Sequence, residues 1–299
     1  MTKSINNANI KSSSESNSPK TRSVFKRMIR NSSVRIGGCI ILFFIFIAIF
    51  GPLIAPYDPT KLGVAKRLLS PTWDFPFGSD ALGRDILTRV MFGARITLYI
   101  GIVSISIGLL SGLIIGIFAG YAGGWVQAVL MRSVDFLYTF PDILIAIGLV
   151  AFFGPSLTNT MIAVGISLIP YYTRVTYSVT LIERNKPYFE AAQAIGAGRI
   201  RLILRHLLPN IIPPIIVVGS LGFSAAVLSA AALSFLGLGA MPPTPEWGKM
   251  LAENRDYILL APWVLLFPGL AIMLTVLGFN ILGDGIRDLL DPRLRKDIR

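Results

Sequence analysis

Several stretches of this chain stay apolar for about 20 residues at a time, and that run length decides its solvent. A helix needs roughly 20 residues to cross a hydrocarbon core, and inside that core only helices and closed barrels satisfy every backbone donor and acceptor. The runs read as spanning helices at about Ile36–Ala55, Thr97–Ala119, Ser133–Phe153, Leu157–Ile182, Ile211–Leu238 and Ile258–Leu282. Six crossings place both ends of the chain on one side. The expected class is all-α and polytopic, and a charged fraction of 15%, against about 25% in soluble domains, agrees with it.

Lys and Arg set the orientation, because they gather on the cytoplasmic side. With the first residues inside, the inner segments hold 20 of the 28 Lys and Arg, and the outer loops hold 8. Both termini are expected in the cytoplasm. The net charge of +12 does not indicate nucleic acid, since it flanks the spans rather than covering one folded face. Residues 1–34 read as a disordered basic tail, and 35–95 as the first anchor with an extracytoplasmic loop. Residues 96–286 form the main membrane domain and 287–299 a cytoplasmic tail. The run Ile36–Ala55 starts too late and runs too long for a cleaved signal.

One Cys (Cys39) and one His (His206) leave no disulfide, no metal site and no Ser/His/Asp constellation to build. The phosphate-cradling G-x-x-x-x-G-K-[ST] pattern is missing as well. Its nearest fragment, Gly248-Lys249, falls in an outer loop. No catalytic residue and no cofactor are expected in this chain, so uphill transport would need a motor on another polypeptide.

Gly108, Gly112, Gly116, Gly120 and Gly124 recur every four residues along the second span. Helices in lipid associate by close packing, which small residues on one stripe permit. The stripe predicts a tight helix contact, within the subunit or across to another. Outside the spans, Gly78–Gly93 reads as a short interfacial helix capped by Ser79 or Asp80, with Arg84 and Arg89 turned away. Trp73, Trp247 and Trp263 fit an outer aromatic belt.

Ionisable groups at membrane depth are costly and suggest function. Asp135 follows Arg132 by three residues, so the two can pair along one face. Asp142, seven further on, either lines a watery path that attracts a cationic group such as a peptide amine, or is simply solvated near a helix end. Arg174 reads as snorkelling to the interface.

The segment from Phe189 to Asn210, FEAAQAIGAGRIRLILRHLLPN, is unlike its surroundings. Small residues at Ala191, Ala192, Ala194, Gly196, Ala197 and Gly198 allow close approach of another backbone, and the glycines suggest a bend. Ile200, Ile203, Leu204 and Leu207 share one helical face. Pro209 is expected to stop that helix before the next span. Such an element either lies on anionic lipid or docks in a groove of a soluble partner.

Glu190-Ala191-Ala192, Gly196 and Leu208-Pro209 resemble the EAA motif of ABC importer permeases. FGSDALGRD, LSFLGLGAMPPTPEWGKML and FNILGDGIRDLLDPRL resemble the dipeptide/oligopeptide/nickel branch, as the second of its two permeases. The resemblance covers roughly residues 35–296. It departs at His206, at Ala230, where many members carry Glu, and at Asp142, where small residues are common.

That resemblance implies a type I importer permease fold with six transmembrane helices in a bacterial inner membrane. It also implies a coupling helix at about 188–209, in which Glu190, Ala191, Ala192, Gly196, Arg199, Arg205 and Pro209 meet an ATPase. The implied partners are a homologous permease, two ATP-binding subunits that hold ATP and Mg, an extracytoplasmic solute-binding protein, a peptide substrate and membrane lipid. Asp135, Asp142 and Ala230 would lie near the path. Glutathione and nickel chelates are the alternative cargoes. An ATP-independent secondary transporter, or a membrane enzyme using the two Asp residues, are the readings from other classes.

Overall fold

The computed structural model describes residues 31–290, so most of the expected basic tail and the end of the C-terminal tail lie outside the described residues. Helix α1 (Ser32–Ile54) begins at Asn31, whose side chain accepts from the Ser33 and Val34 N–H groups, the usual N-cap arrangement. Helix α2 (Ile86–Ala122) is capped by Asp85 through Thr88 N–H. Next come α3 (Gly124–Tyr138), α4 (Asp142–Phe153), α5 (Leu157–Arg184) and α6 (Pro187–Ala194). A short turn, Arg199–Arg201, and a π-helical turn, Leu202–Leu207, lead into α7 (Leu208–Phe235). Helices α8 (Trp247–Asn254) and α9 (Trp263–Leu290) complete the bundle. Among the described residues the only β feature is one bridge between Ser79 and Asp85.

Helices α1, α2, α9 and the continuous Arg199–Phe235 stretch are long and apolar enough to cross a membrane. The expected third span is not one helix: α3 and α4 meet at an angle of 89°. The break falls at Pro141, and the residue before a proline is pushed out of helical geometry. Helix α5 has the length of a span but carries more Thr, Ser and Tyr, and its polar side packs inward on α2. The count of six therefore holds if the bent pair is one crossing and α5 another.

The glycine stripe lies in the α2–α5 seam. A Cβ on Gly112 would sit 2.5 Å from Tyr172 Cβ, and one on Gly116 2.6 Å from Thr176 Cβ, while Gly108 and Gly120 face Leu168 and Thr180. The contact is thus within the subunit. Gly124, the expected fifth member, lies past the helix end with φ +56 and open space around it.

Pro209 does not stop the helix. The chain stays helical from Arg199 to Phe235, because the preceding π turn widens the backbone where a proline ring would crowd the carbonyl four residues back. The π turn also moves the buried face. Leu202 and Leu207, five apart, are buried, whereas Ile200 and Leu204, expected to share a face with Leu207, are exposed.

The interfacial helix expected over Gly78–Gly93 is instead a turn around Asp80 followed by the start of α2, with Asp85 as the cap. Arg84 and Arg89, expected to face away, are 3% and 1% exposed. They lie between Asp80 and Glu253: Arg84 reaches Asp80 at 2.6 Å and Glu253 at 2.7 Å, and Arg89 reaches Glu253 at 3.3 Å. Arg89 also donates to the Pro59 carbonyl at 3.0 Å. Trp247, expected in the aromatic belt, is buried and donates to the Val90 carbonyl at 3.0 Å, while Trp73 is fully exposed.

Candidate functional site

Helix α6 is too short to hold itself in water; its inner face anchors it. Phe189 and Ala192 are buried with Ile117, Leu202, Leu207 and Ile211. Ala192, expected at a partner surface, is therefore a packing residue whose small side chain lets α6 lie close to the π turn. At the base of the loop Glu183 is buried and accepts from Lys186 Nζ and from the Tyr188 hydroxyl, each at 2.5 Å. The same hydroxyl accepts from Asn210 Nδ2 at 3.2 Å, which ties both ends of the loop together.

Burial and the Glu183 carboxylate push the Tyr188 hydroxyl up to about 12. Because the folded value lies above the usual 10.0, the contribution is complete below pH 10 and is lost as pH rises from there towards 12. Replacing Tyr188 with Phe is expected to loosen the loop by about 1 kcal/mol. Faster amide hydrogen exchange over residues 187–198, with the rest of the bundle unchanged, would register it.

The glycine bend is present and has a specific form. Gly196 N–H donates to the Gln193 carbonyl and Ala197 N–H to the Ala192 carbonyl, with Gly196 at φ +83. This is the paired-bond ending that glycine allows after a helix. Nothing lies within 4 Å of a Cβ placed on Gly196. Glu190, Ala191, Arg199, Arg205 and Pro209 are all exposed. Ile195 and Ile200, 86% and 74% exposed, add an uncovered apolar surface beside the arginines.

A second feature lies in the bundle, where α3 breaks. A cavity of about 510 Å³ is walled by Tyr138, Pro141, Asp142, Ser167, Tyr171 and Tyr172, among others. Asp142 is exposed at the first turn of α4, with its carboxylate on the Ile143 N–H at 2.9 Å. Asp135 does not pair with Arg132. It accepts from Arg174 on the facing helix α5, Nη2 at 2.7 Å and Nε at 3.0 Å, and the guanidinium lies 4.5 Å over the Tyr138 ring. Arg174 is therefore paired rather than snorkelling. Ala230 is 2% exposed in a core cluster with Ile100, Val164 and Leu233 and does not line the cavity.

Sequence reading missed Glu183, Tyr188 and Asn210. The spacing of Glu183, Lys186 and Tyr188 at a helix end was a usable signal. Asn210 offered none, because its partner is 22 residues away.

Comparison with known proteins adds an independent line. The model of a family described as binding-protein-dependent transport system inner membrane component matches residues 112–296, and that of the N-terminal TM domain of oligopeptide transport permease C matches residues 20–71. The dipeptide transport system permease protein DppC of Alkalihalophilus pseudofirmus is 45% identical over 92% of this chain and 90% of its own length. The glutathione transport system permease protein GsiD of Pectobacterium atrosepticum is 42% identical over 92% and 91%. A chain of the MetNI methionine ABC transporter in an inward-facing form superposes with TM-score 0.57, covering 68% of this chain and 97% of that one, at 18% identity. That likeness speaks to the fold alone.

Proposed function

The chain belongs to the family of binding-protein-dependent transport system inner membrane components, and from that premise we propose that it is the permease through which an ATP-driven importer takes up di- or oligopeptides. A homologous permease completes the pore. A solute-binding protein delivers the ligand outside, and two ATPases grip the α6 element from the cytoplasm. The observation that carries this reading is the anchored yet outward-facing lever: Phe189 and Ala192 lock α6 to the bundle, while Ile195, Gly196 and Ile200 remain uncovered. A rigid link to the spans and a free face are what a mechanical coupling needs.

Closure of the ATPases on ATP would pull α6, and the continuous Arg199–Phe235 helix would carry that pull into the bundle. The path would then open outward, and hydrolysis would reset it. The placement of α6 in the cytoplasm rests on the Lys and Arg distribution. The glutathione permease relative favours a γ-linked tripeptide as the second cargo reading.

The test is uptake of radiolabelled dialanine into proteoliposomes holding both permeases and both ATPases, with the binding protein outside. Uptake is expected to require ATP and the binding protein. Uptake that persists without the ATPases would favour a secondary transporter and sink the proposal. In the same assay Gly196→Val is expected to lower uptake at least tenfold while ATP hydrolysis continues. A β-branched residue at φ +83 strains the bend by about 1–2 kcal/mol and puts bulk on the docking face. Gly196→Asn, which tolerates that backbone better, separates the two effects. Undiminished uptake by both variants would remove this bend from the coupling.

A further inference from the structure

We propose that Asp142 and Arg174 are the two poles of a zwitterion-binding wall on the transport path, with Asp135 as the counter-ion that holds Arg174 between substrates. This inference rests on the peptide-importer reading above and specifies where the cargo's two charges are met.

Two concavities, of about 510 and 700 Å³, share Tyr138 and Tyr171 as walls. They are neighbours across those two rings, the first walled by α3, α4, α5 and α7 and the second by α3 and α5. Asp142 lines the first; Asp135 and Arg174 line the second. Charged groups at membrane depth avoid lipid and face water or protein, so this surface is turned to the pore or to the second permease rather than to the lipid side.

The two poles are chemically unfinished. The Asp142 carboxylate bonds only the N–H of Ile143, and no cation lies within ion-pair distance of it among the described residues. Asp142 is exposed in the first turn of α4, so its oxygens are open to an incoming ammonium group. Arg174 is held on one oxygen: both Nε and Nη2 donate to Asp135 Oδ1, and Nη1 has no hydrogen bond among the described residues. This is short of the two-pronged pairing that a guanidinium makes with a well-placed carboxylate. The pair is also half-exposed, at 46% and 48%, and ion pairs so exposed are weak. An incoming carboxylate can therefore replace Asp135. Tyr138, stacked 4.5 Å from the guanidinium, keeps Arg174 oriented during the exchange.

A short peptide at neutral pH carries one ammonium and one carboxylate at its ends. Its amine would sit on Asp142, its carboxylate on Arg174, and its backbone along the Tyr138 and Tyr171 rings. A cargo lacking either charge would lose one pole.

The test measures binding of trialanine to the purified complex of permeases and ATPases without the binding protein, by saturation-transfer NMR, beside ATP-driven uptake. Arg174→Gln and Asp142→Asn are each expected to weaken binding at least tenfold. Asp135→Asn removes the competitor for Arg174 and is expected to strengthen binding about threefold. Opposite signs for the two members of one ion pair are what a purely structural strut, or a contact with the second permease, would not produce. Equal losses from Arg174→Gln and Asp135→Asn, or no change in either, overturn the inference. Should Arg174→Gln fail to assemble, Arg174→Lys keeps the charge without the fork; an at least threefold loss supports the wall, and wild-type binding overturns it. Absence of ATP-driven uptake of both dialanine and trialanine by the wild-type complex overturns the peptide reading and this assignment with it, whereas normal uptake with same-sign variants overturns the wall alone.

Discussion

Gly112→Val is expected to leave almost no assembled transporter in the membrane, with the yield of folded complex at least tenfold below wild type. A Cβ at this position would lie 2.5 Å from Tyr172 Cβ and 2.9 Å from both Thr173 N and Tyr172 C. Two of those three atoms are backbone, so no rotamer change on α5 makes room. The helices must separate, and in lipid no hydrophobic drive between helices compensates for the lost contact. Separation at Gly112 also loosens its neighbours, because Gly108 and Gly116 face α5 at similar distances. Gly112→Ala alone is expected to cost about 1–3 kcal/mol as ordinary overpacking, and two more methyls exceed what the seam can absorb.

The same geometry ranks the stripe. At Gly120 the close atoms are Thr180 Cγ2 at 2.6 Å, a methyl that can turn aside, and Thr180 Cβ at 2.8 Å, with no backbone atom nearer than 3.4 Å, so Gly120→Ala is expected to be milder than Gly112→Ala. At Gly124 nothing lies within 4 Å, and the cost is only that of a left-handed backbone, about 1 kcal/mol. Fluorescence-detected size exclusion of tagged variants would read the order. Equal yields for the Gly112 and Gly124 variants would refute the packing account.

The stripe illustrates what the sequence carried well. Small residues every four positions are a one-helix signal, and the packed partner needed only to exist. The bend at Gly196 was legible for the same reason, since the demand for φ above zero is local. What failed was non-local. Asp135 has Arg132 three residues away on its own helix, yet α5 presents Arg174 across the groove, where its Nε and Nη2 both donate to Asp135 Oδ1. Arg84 and Arg89 looked like a solvated face because the carboxylate that buries them, Glu253, lies more than 160 residues further on. Pro209 misled in another way. The rule that proline ends a helix assumes an α turn before it, and here a π turn precedes it. The Pro141 break, by contrast, was in plain view, and the apolar run on either side outweighed it in the reading.

The buried charges around Arg84 carry the second large prediction. Arg84→Met is expected to destabilise the complex by about 3–5 kcal/mol, the usual result of removing one partner from a buried ionic cluster. The unfolding temperature in detergent should fall by on the order of 10 °C. Two positive and two negative side chains currently balance within one enclosed box: Arg84 bridges Asp80 and Glu253, and Arg89 reaches the same carboxylates at 3.9 and 3.3 Å. Without Arg84, Asp80, 1% exposed, keeps only the distant Arg89 as a cationic partner, while Glu253, nearer the surface, can recruit water. The deficit therefore falls on Asp80.

That assignment makes a double substitution informative. Asp80 Oδ1 also accepts from the Leu82 and Arg84 N–H groups, each at 2.9 Å, and the oxygen of an Asn side chain can keep both bonds. Asp80→Asn added to Arg84→Met should thus recover a substantial part of the loss, a non-additivity expected only of groups that share one site. Since the box ties residues 59–85, the start of α2 and α8 into one block, uptake by Arg84→Met should fail on warming before it fails in the cold. Strictly additive effects of the two substitutions, or a single-variant loss below about 1 kcal/mol, would mean that water already reaches these charges and that the block is held by its apolar core alone.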